Sequence, residues 1–423
     1  MTQNFRDMIY LFACGSKGIA PELDHDVDYQ NLYRLANSQG VWQTVFLSVK
    51  KNYANKKTGL NETTFKKLQG MFLSKIATET NRRSYIFQTI AHLESHDISC
   101  CLLKGDAVAL AYDTPSARIS SDTDIFIGKE NEEKAIILMK ELGYCVVDRV
   151  KTSHHLVCTH AVAGTVELHL FLYDELFEDV WFDHRIDLKE KYMEITSEEG
   201  FTFHTLGIND GFVFVVLHFI KHFLSQGAGI RQLMDVLLYA QHYKAQIDMV
   251  QFSKLMTYLK FDKFFDVSMS IGVDFLLFHK EEALFIHGYD NDASMHEELL
   301  GDMEDGGVFG QNDSLRYDFY RKYNEERFHT FKKDDYKSYM KEWSKQNKLQ
   351  LIFLPRKRLA QKYPYVLKFP LLVPVAWTHR FILLLYALFV KEKKLKTFVT
   401  YTVPEENESV KQRMDLIRKL DMI

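Results

Sequence analysis

Asp122 and Asp124 stand two residues apart at the head of an apolar run, Ile125-Phe126-Ile127. On a strand, side chains two apart leave the same face, so both carboxylates would project together. Two carboxylates held that close repel unless a cation lies between them. Mg²⁺ suits such a pair, because it takes hard oxygen ligands and is commonly held by one or two carboxylates plus substrate phosphates. Glu167 offers a third acid in Val166-Glu167-Leu168-His169, with His169 on its side of a predicted strand. If the two strands pair, Glu167 reaches the same cation or takes a proton from a nucleophile. That chemistry is phosphoryl transfer, in which metal ions bridge the phosphate and the attacking group.

Cationic partners lie upstream. Lys104-Gly105 ends a short apolar strand and opens a helix, a junction that turns backbone N–H groups and a positive dipole end toward a phosphate. Arg118, four residues before Asp122, carries a fork that matches a triphosphate oxygen. Ser121, beside Asp122, adds a hydroxyl. Each feature alone is commonplace: Asp-x-Asp arises by chance, Lys-Gly occurs in many turns, and a lone arginine is more often a solvated charge. The weight lies in their order along the chain.

The elements that must position these residues follow from periodicity. Residues 1–97 read as helical, including a long mixed-charge amphipathic run from Phe65. Residues 98–172 change character. Short strands at "ISCCLLKG", "DTDIFIG" and "YCVVDRV" alternate with helices at "DAVALAYDTP" and "KENEEKAIILMKELGY". "HHLVCTH" and "TVELHLFL", joined through "AVAG", read as a hairpin. The alternation predicts a compact α/β unit with a mixed sheet, flanked by extensive helical N- and C-terminal regions. Residues 173–300 read as a helical, acceptor-binding region. Residues 301–423 read as a linker, "GDMEDGGVFGQND", followed by a basic and aromatic tail.

The ensemble "LLKG", "ARISSDTDIFI", "LGY", "HHLVC" and "GTVELHLFL" resembles the polymerase-β-type nucleotidyltransferase superfamily. More narrowly it resembles a poorly characterised bacterial family with Leu-Lys-Gly, Arg-x-x-x-Asp-x-Asp and Glu-Leu-His motifs. "LHFIKHFLSQGAGIRQLMDVLLY" is similar to that family's helical segment, and the likeness covers roughly residues 30–240. The resemblance implies that Asp122, Asp124 and Glu167 are catalytic and hold one or two Mg²⁺ ions. It also implies transfer of a nucleoside monophosphate from an NTP to a hydroxyl-type acceptor, with release of pyrophosphate. Lys104, Gly105, Arg118, Ser121 and Lys221 would bind the nucleotide; ATP, GTP, CTP and UTP are all left open, as is the acceptor. One position departs from the superfamily. Asp106 stands where Gly or Ser usually follows the glycine, and a carboxylate facing the phosphates there would repel them. The alternative reading is therefore a catalytically weakened, nucleotide-binding regulatory or assembly module.

Other residues allow two readings. His218, Lys221 and His222 share a helical face and either present cations to the cleft or serve as core residues with a snorkelling lysine. As a zinc pair, His218 and His222 lack an evident third ligand. Arg231 and Asp235, spaced i,i+4, are expected to pair within their helix. His154, His155 and His160 border the hairpin without an assigned role.

The totals exclude little but do constrain. Lys and Arg number 53 against 57 Asp and Glu, a net charge of −4, so no general basic footprint favours nucleic acid. Five cysteines without metal spacing read as buried free thiols in a reducing compartment. No basic segment followed by an apolar core opens the chain, and a cytoplasmic location is expected. Between 351 and 396, apolar runs flanked by basic residues suggest peripheral contact with an inner-membrane surface; the competing reading is a helix docked on the core or on a partner.

Overall fold

The computed structural model describes residues 1–55, 59–147, 155–172, 192–197, 199–224, 227–306, 363, 365–369, 372–379 and 408–422. Two compact units divide the chain. The first comprises Met1–Asn312 with Leu420–Met422, and the second comprises Asp313–Lys419 with Ile423.

Among the described residues, seven strands form the sheet of the first unit: β1 (Cys101–Leu102), β2 (Asp122–Phe126), β3 (Cys145–Val146), β4 (His155–His160), β5 (Gly164–His169), β6 (Met193–Thr196) and β7 (Thr202–Thr205). Their spatial order is β3-β4-β5-β2-β1-β7-β6. β2 runs parallel to β5 and β1 parallel to β7, while the remaining pairs are antiparallel, so the sheet is mixed. The expected hairpin is present: β4 and β5 pair antiparallel and close at His160 and Gly164. The helical reading of 173–300 did not include β6 and β7, which extend the sheet beyond β1.

Four helices precede the sheet: α1 (Gln3–Ser16), α2 (Tyr29–Ser38), α3 (Trp42–Ala54) and α4 (Glu62–Glu94). Asn61 caps α4 by accepting a hydrogen bond from the Thr64 amide, satisfying one of the donors a helix start leaves open. Ile86, Phe87, Ile90 and Leu93 recur at helical spacing along α4. They pack on Ile125, Leu156, Cys158, Val166 and Leu168 from alternate positions of β2, β4 and β5. One face of the sheet is thereby dry. The same alternation puts Asp122, Asp124, Glu167 and His169 on the other face.

Beyond the first turn, α5 spans only Asp106–Ala109 and α6 spans Glu132–Glu141. After the sheet come α7 (Ile208–Leu224), α8 (Ile230–Tyr243), α9 (Met249–Leu259), α10 (Asp262–Phe275) and α11 (Ala293–Gly306). The first half of the linker candidate thus belongs to α11, and its remainder lies outside the described residues. Cys14, Cys100, Cys101 and Cys158 are buried free thiols, as expected, whereas Cys145 is exposed.

In the second unit the described residues include a small apolar cluster of Tyr363, Val366 and Ala376, flanked by Val373 and Trp377. Most of 351–396 lies outside the described residues. Among those described, no helix is long and apolar enough to cross a membrane.

Candidate active site

The parallel pairing of β2 with β5 sets Asp122 opposite Thr165 and Asp124 opposite Glu167. Directly paired residues share a face, and the side-chain period of two adds Asp122. Asp122, Asp124 and Glu167 consequently each offer an oxygen within 4.8 Å of the others. Asp124 is the buried member of the three, only 3% exposed. Burial opposes its ionised form, but the Lys104 ammonium and the His169 imidazole outweigh that cost and hold its carboxyl well below the usual carboxylate range. Glu167 moves the other way: burial first, then the charges of Asp124 and Asp122, raise its carboxyl.

Lys104 reaches this cluster because β1 hydrogen-bonds to β2. The Leu103 amide donates to the Asp124 carbonyl, and Lys104 follows it on the acid side. Its Nζ lies 3.1 Å from Asp124 Oδ2 and 2.9 Å from His218 Nε2 on α7. An ammonium has only donors, so Nε2 of His218 must accept and its proton sits on Nδ1. Burial and the neighbouring Lys104 push the His218 pKa well below its ordinary value, and His222 is lowered likewise. The two histidines are therefore neutral and do not present cations to the cleft. Lys221, half-buried on the same helix, contributes to lowering both.

Asp124, being ionised, can only accept, so His169 donates through Nε2 to Oδ1 at 2.9 Å. Ser121 is exposed and its hydroxyl donates to Asp122 Oδ1 at 3.3 Å. Gly105 adopts φ +73°, a left-handed backbone that favours glycine. An added Cβ would meet only the Ser120 hydroxyl, at 3.8 Å, so conformation rather than crowding requires glycine there. The α5 helix that follows has four residues. One turn carries little of the dipole expected at this junction.

Arg118 lines the same cleft as Lys104, Gly105 and Asp122, with its guanidinium engaged by a buried carboxylate. Its Nε and Nη2 bind the two carboxylate oxygens of Asp235 on α8, at 3.1 and 2.6 Å, with both side chains buried. The Tyr112 hydroxyl adds a third bond to Asp235 at 2.7 Å. Asp235 thus serves partners from the loop before β2 and not the expected intrahelical Arg231; Arg231 donates instead to the Ile119 carbonyl. Both arginines tie the segment preceding Asp122 to α8.

Sequence reasoning missed Arg83. It lies on α4, is buried, and pairs with both Asp106 and Glu199, the latter at 2.8 Å. The Asp106 carboxylate is compensated. A neighbouring set, Lys75, Glu79 and Arg82, forms ion pairs of 2.7 Å, and Arg82 donates to the Thr123 hydroxyl at 2.9 Å. The signal for these was four charges, Lys75, Glu79, Arg82 and Arg83, within one stretch of the mixed-charge helix. His160 lies away from the acids: it stacks on Tyr85 at 4.3 Å, and its Nδ1 accepts from the Val162 and Ala163 amides of the hairpin turn. His154 lies outside the described residues.

A mixed sheet with paired aspartates on one central strand and a third acid on its parallel neighbour is a nucleotidyltransferase-type arrangement. The model of a family described as uncharacterised nucleotidyltransferase matches residues 25–275. The chain belongs to that family, and its general reaction type is nucleotidyl transfer. No curated protein matches the chain.

Proposed function

We propose that the protein is a Mg²⁺-dependent enzyme that moves a nucleoside monophosphate from an NTP to a hydroxyl-type acceptor and releases pyrophosphate. The observation that carries this reading is the convergence of Asp122, Asp124 and Glu167 oxygens within 4.8 Å. Three carboxylates this close fit a hard divalent cation. When bound, Mg²⁺ would supply Lewis-acid stabilisation of phosphate charge. Asp122 and Asp124 hold it, and Glu167 completes the set. Alternatively, Glu167 takes the acceptor's proton. The acceptor oxygen forms a bond to the α-phosphorus as the bond to the bridging oxygen breaks, and pyrophosphate leaves with that electron pair.

Lys104 keeps Asp124 ionised and places a positive charge beside the phosphates, with His218 fixing its direction. Ser121 and Lys221 are assigned to the nucleotide, and Gly105 supplies the backbone conformation of the turn. Arg118, which lines the cleft, anchors the Asp122 loop to α8. The reading of a catalytically weakened module rests on Asp106 standing where Gly or Ser is usual; its pairing with Arg83 compensates the charge of that residue.

Each α-labelled NTP, incubated with Mg²⁺ and a panel of sugar, amino-alcohol and protein acceptors, tests the reading. Wild-type chain is expected to release pyrophosphate and transfer label, and an Asp122→Asn/Asp124→Asn variant to do neither. Equal turnover by the variant would refute the assignment of these acids.

A further inference from the structure

The sheet register assembles a second group of donors beside the three acids. Because the hairpin closes at His160 and Gly164, His155 on β4 sits directly opposite His169 on β5. Their rings lie 5.3 Å apart between centroids. Glu167, two residues before His169, shares their face. Its Oε2 is 3.6 Å from His155 Nε2 and 3.9 Å from His169 Nε2. His155, Glu167 and His169 each offer a ligand atom within 4.8 Å of the others.

We infer that His155, Glu167 and His169 form a second cation site, specific for a borderline transition ion of the Zn²⁺ class, joined through Glu167 to the all-oxygen Asp122–Asp124 site. Donors around a tetrahedral Zn²⁺ with bonds of about 2.0–2.1 Å lie about 3.3 Å apart. The observed 3.6 and 3.9 Å exceed that by about 0.3 and 0.6 Å, and the two imidazole donors lie within 4.8 Å of each other, so binding draws the three side chains together. Imidazole suits Zn²⁺, whereas Mg²⁺ prefers oxygen. The two neighbouring sites therefore differ in the metal they select, and the imidazoles make that difference. Uptake at His169 moves its proton from Nε2 to Nδ1 and puts the cation between His169 and Asp124 in its stead. Glu167 and Asp124 neutralise its charge. A resident ion here would fix Glu167 before nucleotide arrives. The inference shares Glu167 with the proposed Mg²⁺ site but does not depend on nucleotidyl transfer.

Metal-stripped full-length chain, titrated with Co²⁺ in millimolar Mg²⁺ and without nucleotide, provides the test. Equilibrium dialysis and the visible d–d bands of Co²⁺ are the readouts. The wild type is expected to take up one Co²⁺ per chain, with the intense bands of a low-coordinate imidazole site. Substituting His155→Asn weakens uptake at least about tenfold. His155 is half-buried on its strand, and thermal melting confirms that the variant is folded; His155→Gln repeats the test if it is not. Absence of Co²⁺ uptake by the wild type, or equal uptake by a folded His155 variant, overturns the inference and leaves His155 as an ion-pair partner of Glu167. Intact Co²⁺ binding without any transfer from NTP would instead count only against the proposed reaction.

Discussion

Replacing Arg118 by alanine separates a structural anchor from a phosphate ligand. The Arg118 and Asp235 side chains are 4% and 8% exposed, and the guanidinium meets both carboxylate oxygens. Removing one partner of such a pair strands the other charge in a poorly hydrated site, at a cost of about 3–5 kcal/mol. The Tyr112 hydroxyl still donates to Asp235, which places Arg118→Ala toward the lower end. Asp235→Leu should cost a similar amount, because it strands the arginine. The double variant Arg118→Met/Asp235→Leu should lose far less than the two single losses combined, since no charge is left behind. Urea unfolding of the intact chain, followed by circular dichroism, measures all three. A loss under about 1 kcal/mol for Arg118→Ala, with nucleotide affinity falling sharply in a fully folded protein, would refute the anchor and restore Arg118 to the phosphates.

Three further outcomes follow from the same geometry. Arg83→Ala strands Asp106 and Glu199 and should cost about 2–4 kcal/mol, while Arg83→Ala/Asp106→Ser should recover part of it in chemical unfolding. Gly105→Ala must hold φ +73° with a side chain, which should lower stability by about 1 kcal/mol or more in the same assay. His218 and His222, with pKa values depressed by burial and by Lys104, bind protons more readily when unfolded. Their contribution is full above the ordinary histidine pKa of about 6.5 and is lost as pH falls below it. The melting temperature should therefore fall between about pH 6.5 and 5, and less steeply in His218→Gln.

Local pattern made part of this legible and distance hid the rest. The hairpin, the strand carrying Asp122 and Asp124, and the helical character of residues 1–97 follow from periodicity and turn residues, which act within a few positions. Glu167 and His169 could be placed on one face by alternation alone. The parallel pairing of β2 with β5 could not, because nothing local encodes which distant strand a central strand accepts. The same limit explains Arg118. Its partner lies 117 residues away, whereas the nearer i,i+4 geometry pointed Asp235 to Arg231. The residues of β6 and β7 form strands of four positions each, too short to stand out from the helical reading around them. Asp106 looked like a defect at the nucleotide turn because its counter-charge, Arg83, comes from a helix more than twenty positions upstream, one of several charges on a mixed-charge run.

Metal-dependent nucleotide binding tests the central claim most directly. Equilibrium binding of a non-hydrolysable NTP analogue to the full chain should require Mg²⁺ and disappear in Asp124→Asn, with the variant's fold verified by its melting curve. Equal binding with and without Mg²⁺, or unchanged binding by Asp124→Asn, would contradict a cation site formed by Asp122, Asp124 and Glu167.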